Sequence, residues 1–286
     1  MDGKICVVTG ATSGIGKEAA IQLAALGATV ALIGRNPDKG RSAVEDVRTK
    51  AKYPDCISFH RADFSSLEEV RELGRELSDH FDWIDVLINN AGAMFLQRLE
   101  TDDGFEMTFG VNHLAPFVLT GVLLESLKAG APSRVVNVAS DAHLGRRLDF
   151  TDLQMRKHYS GMTAYGRSKL ANIYFARALA RRLEGTGITV NSLHPGFVRT
   201  GFGRNNGVLG TLGMTLLSPF AIGVAEGADT VTHLASSPDV AEQTGVYFYK
   251  RREGHLSQDA RDDAAGERLW RDSLEMTGNP YPRFEG

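Results

Sequence analysis

The chain has 286 residues, of which 42 % are hydrophobic and 23 % are charged, so its composition is that of an ordinary globular protein. Its formal net charge is −3 and it contains no dense basic run, so the electrostatic signature of a nucleic-acid-binding protein is missing. The 2 cysteines and 8 histidines are scattered and form no zinc-binding pattern, so we expect no metal site.

Short runs of β-branched residues alternate with helical patterns along the whole chain. The strand-like runs are KICVVTG, ATVALIG, CISFHRAD, IDVLINNAG, SRVVNVAS, ITVNSLHPG and GVYFY. Helical apolar spacing lies between them, near residues 14–26, 38–51, 66–80, 104–109 with 113–128, 162–183 and 224–236. Apolar runs without polar alternation indicate strands that are covered on both faces. We therefore predict one α/β domain, residues 1–286, with a doubly wound parallel sheet of seven strands and helices on both faces.

The two ends of the chain and one uncharged stretch bear on localisation. The first strand begins almost at once, so we expect neither a signal peptide nor a membrane anchor ahead of it. Residues 205–225 carry no charge and approach the roughly 20 residues that cross a bilayer, but their glycines and proline make a poor spanning helix. We assign residues 197–222 to an apolar substrate lid, with peripheral membrane contact as the less favoured alternative. Residues 250–286 form a C-terminal extension, and Cys6 and Cys56 lie in apolar runs, as expected of reduced thiols in a cytoplasmic protein.

A glycine-rich turn, TGATSGIG, follows the first strand. Its glycines allow a tight bend and a close approach of the backbone to a ligand. The helix that follows offers free N–H groups and the positive end of its dipole to a pyrophosphate. Its position after the first strand predicts a dinucleotide-binding loop rather than an ordinary turn. The predicted contacts are Gly10, Thr12, Ser13, Gly14, Ile15 and Gly16.

The ends of the second and third strands indicate which dinucleotide is bound. Where an acidic residue would hold the ribose hydroxyls, the chain has LIGRN, and the Arg35 guanidinium can pair with a 2′-phosphate. We therefore predict NADP(H), with Arg35 and Asn36 as contacts; the alternative is a solvated arginine that opens a turn. Asp63 and Phe64 are also predicted cofactor contacts. Asp63 is expected to accept a hydrogen bond from the adenine amino group, or else to cap the helix that follows.

These motifs resemble those of the classical short-chain dehydrogenases/reductases. The resemblance implies a single doubly wound Rossmann domain whose seven strands have the order 3-2-1-4-5-6-7. The loop TGATSGIG, the NNAG at 89–92, the Tyr-x-x-x-Lys of YGRSK, the serine that ends VNVAS, the asparagine of GVNHLAPF and the HPG segment occur in that family's order, from Lys4 to about Tyr249. The stretches LGRRLDFTDLQ, YGRSKLANIYFARALARRLEGTGITVNSLHPGFVRT and GERLWRDSLEMTG are similar to the retinol dehydrogenase-like branch. Many members of that branch carry an N-terminal membrane anchor, for which this sequence shows no pattern.

Tyr165 and Lys169 are four residues apart and lie on one face of a predicted helix. A free phenol has a pKa of about 10, and nearby positive charges, from the ammonium and from an oxidised nicotinamide, would lower it. Tyr165 is then the expected general acid/base, and Ser140, at the end of a strand, can bind the substrate oxygen. The resemblance implies that Lys169 also holds the nicotinamide ribose, and that Asn112 keeps a water in line with Lys169. Taken singly, each residue has a structural alternative as a cap, a turn former or a surface residue.

The resemblance implies further cofactor contacts after the fourth and sixth strands and on the catalytic helix. They are Asn90, Ala91, Gly92, Tyr165, Lys169, Pro195, Gly196, Val198 and Thr200.

The predicted lid favours an apolar aldehyde, ketone or alcohol as the substrate, because its side chains are largely apolar. They include Phe202, Leu209, Leu212, Met214, Leu216, Leu217 and Phe220, and their alternative role is packing on the protein or on a second subunit. By the resemblance we expect a homodimer or homotetramer. Two other functions stay open: an NADP(H)-binding sensor without chemistry, and a sugar-nucleotide epimerase or dehydratase, which would usually carry a T-G-x-x-G-x-x-G loop and a larger C-terminal domain.

Overall fold

The computed structural model describes residues 1–197, 223–281 and 284. Its sheet has the order β3-β2-β1-β4-β5-β6-β7-β8, and its first seven strands are parallel to one another. The strands are β1 Ile5–Thr9, β2 Thr29–Gly34, β3 Ile57–Arg61, β4 Val86–Asn89, β5 Ser133–Val138, β6 Ile188–His194, β7 Tyr247–Tyr249 and β8 Arg252–Glu253. The predicted α/β class and strand order are confirmed.

The predicted number of strands, seven, is wrong by one, because the extension begins with an eighth strand. β8 pairs antiparallel with β7 at the edge of the sheet. Lys250 and Arg251 both have positive φ, 50° and 61°, as in the tight hairpin turns that match the twist of their strands. Asparagine and glycine usually occupy such turns, so the Lys-Arg pair gave no sequence signal for a hairpin.

The helices lie close to their predicted positions. They are α1 Gly14–Ala25, α2 Pro37–Arg48, α3 Leu67–His80, α4 Met107–Phe109, α5 Ala115–Val122, α6 Leu124–Ala129, α7 Gly161–Arg182, α8 Val224–Ser236 and α9 Asp263–Thr277. Between α4 and α5 the chain forms a π-helical turn, Gly110–Leu114. Among the helices of the described residues, none is both long enough and apolar enough to span a membrane.

The helices cover the sheet on both faces, as predicted. Val7 of β1 packs in the core under α3, α5, α7 and α9, while its neighbours Cys6 and Val8 pack in a second core under α1, α2 and α8. Successive strand residues point to opposite faces, so a strand buried on both sides needs apolar residues throughout. Burial raises the pKa of the Cys6 thiol to about 12, which keeps it protonated.

The helix of the C-terminal extension packs on the catalytic helix. Trp270 of α9 lies among aromatic rings, 5.0 Å from the ring of Phe117, and the Arg182 guanidinium of α7 lies 4.2 Å above its ring. Glu267 pairs with Arg181 and Arg182, and the Arg182 bond in particular lowers the pKa of this carboxyl to about 2. The α9 helix therefore covers part of the outer face of α7 within one chain.

Candidate active site

The turn after β1 is built from glycines because neighbouring backbone leaves no room for side chains. A Cβ on Gly10 would lie 2.9 Å from the Cα of Ala91, and a Cβ on Gly16 only 2.4 Å from Asn90 Nδ2. Gly10 and Gly14 also have φ of 66° and 57°, in the left-handed region that glycine adopts freely. The loop can therefore lie directly against the end of β4, and its backbone stays accessible to a ligand.

The first turn of α1 has the character of an anion site. Ser13 occupies the N-cap position but its side chain makes no capping bond, and no acidic residue lies in the first turn. The N–H groups at this end lack intrahelical partners and lie at the positive end of the helix dipole. Together with the accessible backbone of the glycine-rich loop, these N–H groups suit the phosphates of a dinucleotide, as predicted for this loop.

Side chains at the end of β4 tie it to the end of β1. The Thr9 hydroxyl accepts the N–H groups of Asn90 and Ala91 at 2.9 and 3.0 Å, and Asn90 Nδ2 donates to the Thr9 carbonyl at 2.8 Å. The Asn90 side chain thus fixes the chain path, and the backbone after it is left to approach a ligand.

A cavity of about 170 Å³ opens at the carboxyl ends of β1, β2 and β3. It brings together six of the predicted cofactor residues with several that were not predicted. The predicted ones are Gly10, Thr12, Arg35, Asp63, Phe64 and Ala91, and the others include Gly34, Ser65, Ala93, Phe95, Met107 and Val111. A Cβ on Gly34 would lie 2.4 Å from Thr12 Cγ2, so this glycine makes space for the threonine.

Arg35 and Asp63 face each other in this cavity. Arg35 Nη1 lies 3.4 Å from Asp63 Oδ2, and the arginine side chain is 66 % exposed while the aspartate is 24 % exposed. The alternative role of Asp63 as the helix cap is not observed, because Ser66 caps α3. Asp63 Oδ1 instead accepts the N–H and the hydroxyl of Ser65 at 3.0 and 2.8 Å. The Asn36 side chain caps α2 by accepting Lys39 N–H, so its predicted cofactor contact stays a prediction.

Lys169 lies at the centre of the predicted reaction site and is 3 % exposed. Its Nζ donates a hydrogen bond to the Val138 carbonyl at 2.8 Å and lies 5.6 Å from the centre of the Tyr165 ring. A Cβ on Gly92 would lie 3.4 Å from both Lys169 Nζ and Asn112 Oδ1, so Gly92 leaves space beside both groups. Burial lowers the pKa of Lys169 to about 8, since a buried ammonium loses its hydration.

Tyr165 lies half-buried in α7, beside the Ser140 hydroxyl. Burial raises the pKa of Tyr165 to about 12, and a hydrogen bond with the Ser140 side chain opposes that rise. The lowering expected from the sequence is therefore not produced by the protein's own groups: the cost of burying a phenolate outweighs their attraction. The phenol holds its proton at neutral pH, which suits a proton donor.

Asn112 lies inside the π-helical turn and not at a helix N-terminus, so its alternative role as an N-cap is not observed. It is fully buried and uses both ends of its amide. Oδ1 accepts the N–H of Ala93 at 2.7 Å, while Nδ2 donates to the Ala93 carbonyl and to Ser168 Oγ, both at 2.9 Å. Asn112 therefore fastens the loop after β4 to α7, between Gly92 and Lys169. π-Turns of this kind are frequent at functional sites.

The remaining predicted residues follow β6. Pro195 and Gly196 are partly buried at the end of this strand, and Gly196 has a φ of 89°. Val198, Thr200 and the predicted lid from residue 198 onwards lie outside the described residues. Phe197 is described and is exposed.

Two groups of residues beside the site were not among the predicted site residues. Leu144 and Met162, which lie within four residues of Ser140 and Tyr165 along the chain, are exposed, and so is Leu96, whose Cα would lie 3.0 Å from a Cβ on Gly161. Behind Ser140, the turn Asp141–His143 is held by buried polar side chains from β6 and β7. Short distances along the chain from Ser140 and Tyr165 could have pointed to Leu144 and Met162. His143 follows Ser140 closely enough to be considered as a substrate contact, but a lone loop histidine is more often structural, and nothing local could have pointed to the strand residues.

Comparison with known proteins agrees with this geometry. Residues 4–207 match the short chain dehydrogenase family. The chain is 40 % identical to human (Homo sapiens) retinol dehydrogenase 13, over 98 % of this chain and 86 % of that protein. It is 43 % identical to a protein of Streptomyces sp. (strain C5) named as a proposed daunorubicin C-13 ketoreductase, DnrU, over 98 % of this chain and 94 % of that one.

Solved structures show the same fold. A crystal structure of an uncharacterized protein from Mycobacterium paratuberculosis aligns with a TM-score of 0.79 and 32 % identity, covering 99 % of this chain and 96 % of that one. The RhlG/NADP active-site complex of Pseudomonas aeruginosa aligns with a TM-score of 0.69 and 27 % identity, covering 87 % and 94 %. The predicted resemblance is confirmed: the chain belongs to the short-chain dehydrogenase/reductase family of oxidoreductases and, within it, is retinol dehydrogenase-like.

Proposed function

We propose that the protein is an NADP(H)-dependent oxidoreductase that interconverts an apolar aldehyde or ketone with its alcohol. The observation that carries this proposal is the convergence of Ser140, from the turn after β5, with Tyr165 and Lys169 of α7, beside the dinucleotide-binding loop. A sensor without chemistry would not need a buried ammonium beside a half-buried phenol at the same point. In the part of the chain that the structure describes, the extension after β7 comprises the short strand β8, one 3₁₀ turn and α9, which is too little for a substrate domain and disfavours a sugar-nucleotide epimerase.

The residues of the chain supply the proton and the orientation of the substrate. A bound nicotinamide dinucleotide supplies the hydride in reduction, or accepts it in oxidation, at the carbon of the reacting carbonyl or alcohol group. Ser140 donates a hydrogen bond to the substrate oxygen, and Tyr165 transfers its proton to that oxygen as negative charge develops there. In oxidation the phenolate takes this proton back. On the buried side of the site, Asn112 holds the loop after β4 against α7, and Lys169 joins α7 to β5.

The preference for NADP(H) rests on the charge at the end of β2. Arg35 is mostly exposed at the cavity, and its contact with the Asp63 carboxylate is 3.4 Å long, so its fork can reach a 2′-phosphate. An acidic residue at this place would repel that phosphate. The similar RhlG structure is a complex with NADP, which supports the same choice.

An apolar substrate is supported by the surroundings of the catalytic groups. Leu144 lies just after the Ser140 turn and Met162 lies in the turn of α7 before Tyr165, and both are exposed. The names of the relatives, retinol dehydrogenase and daunorubicin ketoreductase, also indicate large and largely apolar substrates. We therefore place retinal, medium-chain aldehydes, steroid ketones and quinones first among the candidates.

A Tyr165→Phe variant tests the chemistry. We expect the turnover number with NADPH to fall about 10²- to 10⁴-fold while NADPH affinity stays near that of the wild type, because the ring remains and only the proton donor is lost. Tyr53→Phe, which changes an exposed phenol outside the site, is the matched control. Unchanged turnover in Tyr165→Phe would refute the role given to the phenol. If the wild-type protein binds NADPH but reduces none of the four substrate classes, the sensor function is favoured.

Cofactor preference is tested with Arg35→Ala. Losing one charge-assisted contact of about 1.5–3 kcal/mol should reduce the NADPH-over-NADH ratio of kcat/KM roughly 10- to 100-fold. Arg75→Ala, in an exposed pair with Glu68 on α3, is the control. A wild-type protein that uses NADH at least as efficiently as NADPH contradicts the preference.

We also propose a cytoplasmic location and assembly into a homodimer or homotetramer. The part of α7 that α9 contacts is covered within the chain, so subunits would pair through another surface or through the outside of α9. Light scattering of the purified protein, with and without NADPH, measures the assembly directly, and a monomeric mass at micromolar concentration would contradict it.

A further inference from the structure

The Ser140 backbone is held by a histidine that is fully buried, His143. Its Nδ1 lies 2.7 Å from the Ser140 carbonyl oxygen. A carbonyl can only accept, so Nδ1 carries the hydrogen and donates it. In the neutral ring the other nitrogen, Nε2, is then the acceptor, and it is buried without a hydrogen-bond partner among the described residues.

The surroundings of His143 keep its ring in place and neutral. The ring packs edge-on against Tyr247 of β7, with the ring centres 5.3 Å apart. The Tyr247 hydroxyl donates to Asp141 Oδ1 at 2.8 Å, and His194 Nε2 of β6 lies 3.4 Å from Asp141 Oδ2. Burial lowers the pKa of His143, while the Ser140 carbonyl and Asp141 oppose this shift in part. The two strands thus fix the turn from behind.

The same turn sets the direction of the Ser140 hydroxyl. Its Oγ accepts the N–H of Ala142 at 3.1 Å, which leaves the hydroxyl hydrogen available on the side of Tyr165. The turn also touches α7 directly, because a Cβ on Gly166 would lie 2.5 Å from the Ala142 carbonyl oxygen. Movement of the turn would therefore change the distance between the Ser140 hydroxyl and the Tyr165 phenol.

We propose that His143 is a positioning residue for Ser140: the Nδ1–H bond to the Ser140 carbonyl holds the serine hydroxyl in line with Tyr165 and the substrate oxygen. This inference rests on the proposed function. The backbone bond from His143 N–H to the Ser140 carbonyl, at 3.1 Å, keeps the turn folded without the imidazole. Loss of the imidazole bond should thus loosen the orientation of the hydroxyl without unfolding the turn.

A pair of variants separates this bond from the volume of the ring. His143→Phe fills the space without a donor, whereas His143→Asn places an amide N–H near the position of Nδ1. We expect His143→Phe to lower kcat about 10- to 100-fold with little change in NADPH affinity, because small misplacements of catalytic groups cost about that much. His143→Asn should recover most of the lost turnover. Wild-type turnover in His143→Phe would overturn the proposal.

A double-variant cycle with Ser140→Ala shows whether the effect passes through the serine. We expect His143→Phe to cause no further loss of kcat when Ser140 is already alanine. An equal loss in both backgrounds would mean that His143 acts elsewhere and would overturn the proposal. If His143→Phe does not fold, His143→Gln takes its place, because its amide nitrogen lies near the Nε2 position; equal turnover of the Gln and Asn variants then refutes the inference.

The outcomes also separate this inference from the proposed function. If Ser140→Ala and Tyr165→Phe both keep wild-type turnover, the proposed chemistry fails. If these two variants lose turnover while His143→Phe does not, the chemistry stands and only the positioning role fails.

Discussion

At the nucleotide end of the site the backbone is accessible to a ligand, because glycines have no side chains to cover it. At the reaction end, by contrast, buried side chains fill the space and form hydrogen bonds with the surrounding elements. Gly10 and Gly16 have no room for a Cβ, and Arg35 stands largely in solvent. Asn112 and Lys169, by contrast, are buried and hydrogen-bonded to the loop after β4, to α7 and to β5. An exposed arginine costs the fold little, but a buried ammonium must be desolvated.

Because the two ends are built differently, substitutions in them should have different consequences. At the nucleotide end, a change should alter affinity for the dinucleotide and leave the fold largely intact. At the reaction end, a change should alter turnover and the free energy of unfolding together, sometimes in opposite directions, because a functional group there can be costly to bury.

The largest effect is expected for Lys169→Met. Turnover should fall about 10²- to 10⁴-fold, as for loss of an acid/base partner. At pH 7, in the absence of nucleotide, the free energy of unfolding should rise by up to about 3 kcal/mol, because the pKa of this lysine is lowered from 10.5 to about 8 by burial. The folded lysine releases its proton above pH 8, before the unfolded one does, so the gain should shrink between pH 8 and 10.5.

Lys128→Met removes an exposed lysine paired with Glu125 on α6 and serves as the control for Lys169→Met. Kinetics and denaturant unfolding measure the two effects separately. A Lys169→Met protein that is less stable than wild type and still turns over would erase the distinction between the two ends.

Gly16→Val should have the next largest effect, at the nucleotide end. The added Cβ would lie 2.4 Å from Asn90 Nδ2 and 2.6 Å from the Gly10 carbonyl oxygen, so the loop must shift. Overpacking of this kind costs about 1–3 kcal/mol, which predicts a roughly 10- to 100-fold weaker affinity for NADPH, measured by titration calorimetry. Gly223→Ala is the control, since a Cβ there would meet no described residue within 4 Å. Unchanged NADPH affinity in Gly16→Val would argue against the loop as the pyrophosphate site.

A pH effect should come from His113, the neighbour of Asn112. Burial lowers its pKa to about 3, while an unfolded histidine has a pKa of about 6.5. Between these values the unfolded chain binds a proton that the folded protein does not, so stability is present above pH 6.5 and is lost as the pH falls toward 3. The free energy of unfolding should fall by about 1.4 kcal/mol per pH unit from this group below pH 6.

His113→Gln should remove this dependence, because an amide can still bond Ser273 Oγ, which lies 2.9 Å from His113 Nε2, and does not titrate. Urea unfolding at pH 7, 6 and 5 measures the slope, with His158→Gln, at an exposed position, as the control. If the free energy of unfolding of His113→Gln falls with pH as steeply as that of the wild type, other groups cause the loss of stability in acid.

The smallest effect on the fold is expected for Arg35→Ala. Its pair with Asp63 is partly solvent-exposed and 3.4 Å long, and exposed pairs contribute about 0–1 kcal/mol. The free energy of unfolding without nucleotide should therefore change by less than about 1 kcal/mol, although the cofactor preference changes. A loss greater than about 2 kcal/mol would place Arg35 among structural residues and would blur the comparison.

Much of the site followed from local sequence patterns. Helical periodicity by itself placed Tyr165 and Lys169 on one face of α7, and the order of strand-like runs placed the glycine loop, Arg35 and Ser140 at one edge of the sheet. These features depend on residues a few positions apart, or on the rule that parallel strands end at the same edge. The chain as written was therefore sufficient to predict the fold class, the strand order and the family.

What surrounds those residues depends on tertiary contacts and could not be predicted from local sequence. The bonds of Asn112 to Ala93 and Ser168, the strand residues behind His143 and the packing of α9 on α7 join segments far apart in the chain. The effect of the protein's own groups on the pKa of Tyr165 could not be read from the sequence either, because it depends on burial by such distant segments, which raises the pKa, and not on the neighbouring lysine alone. Spacing along a helix is set locally, but desolvation and hydrogen-bond partners are set only when the chain has folded.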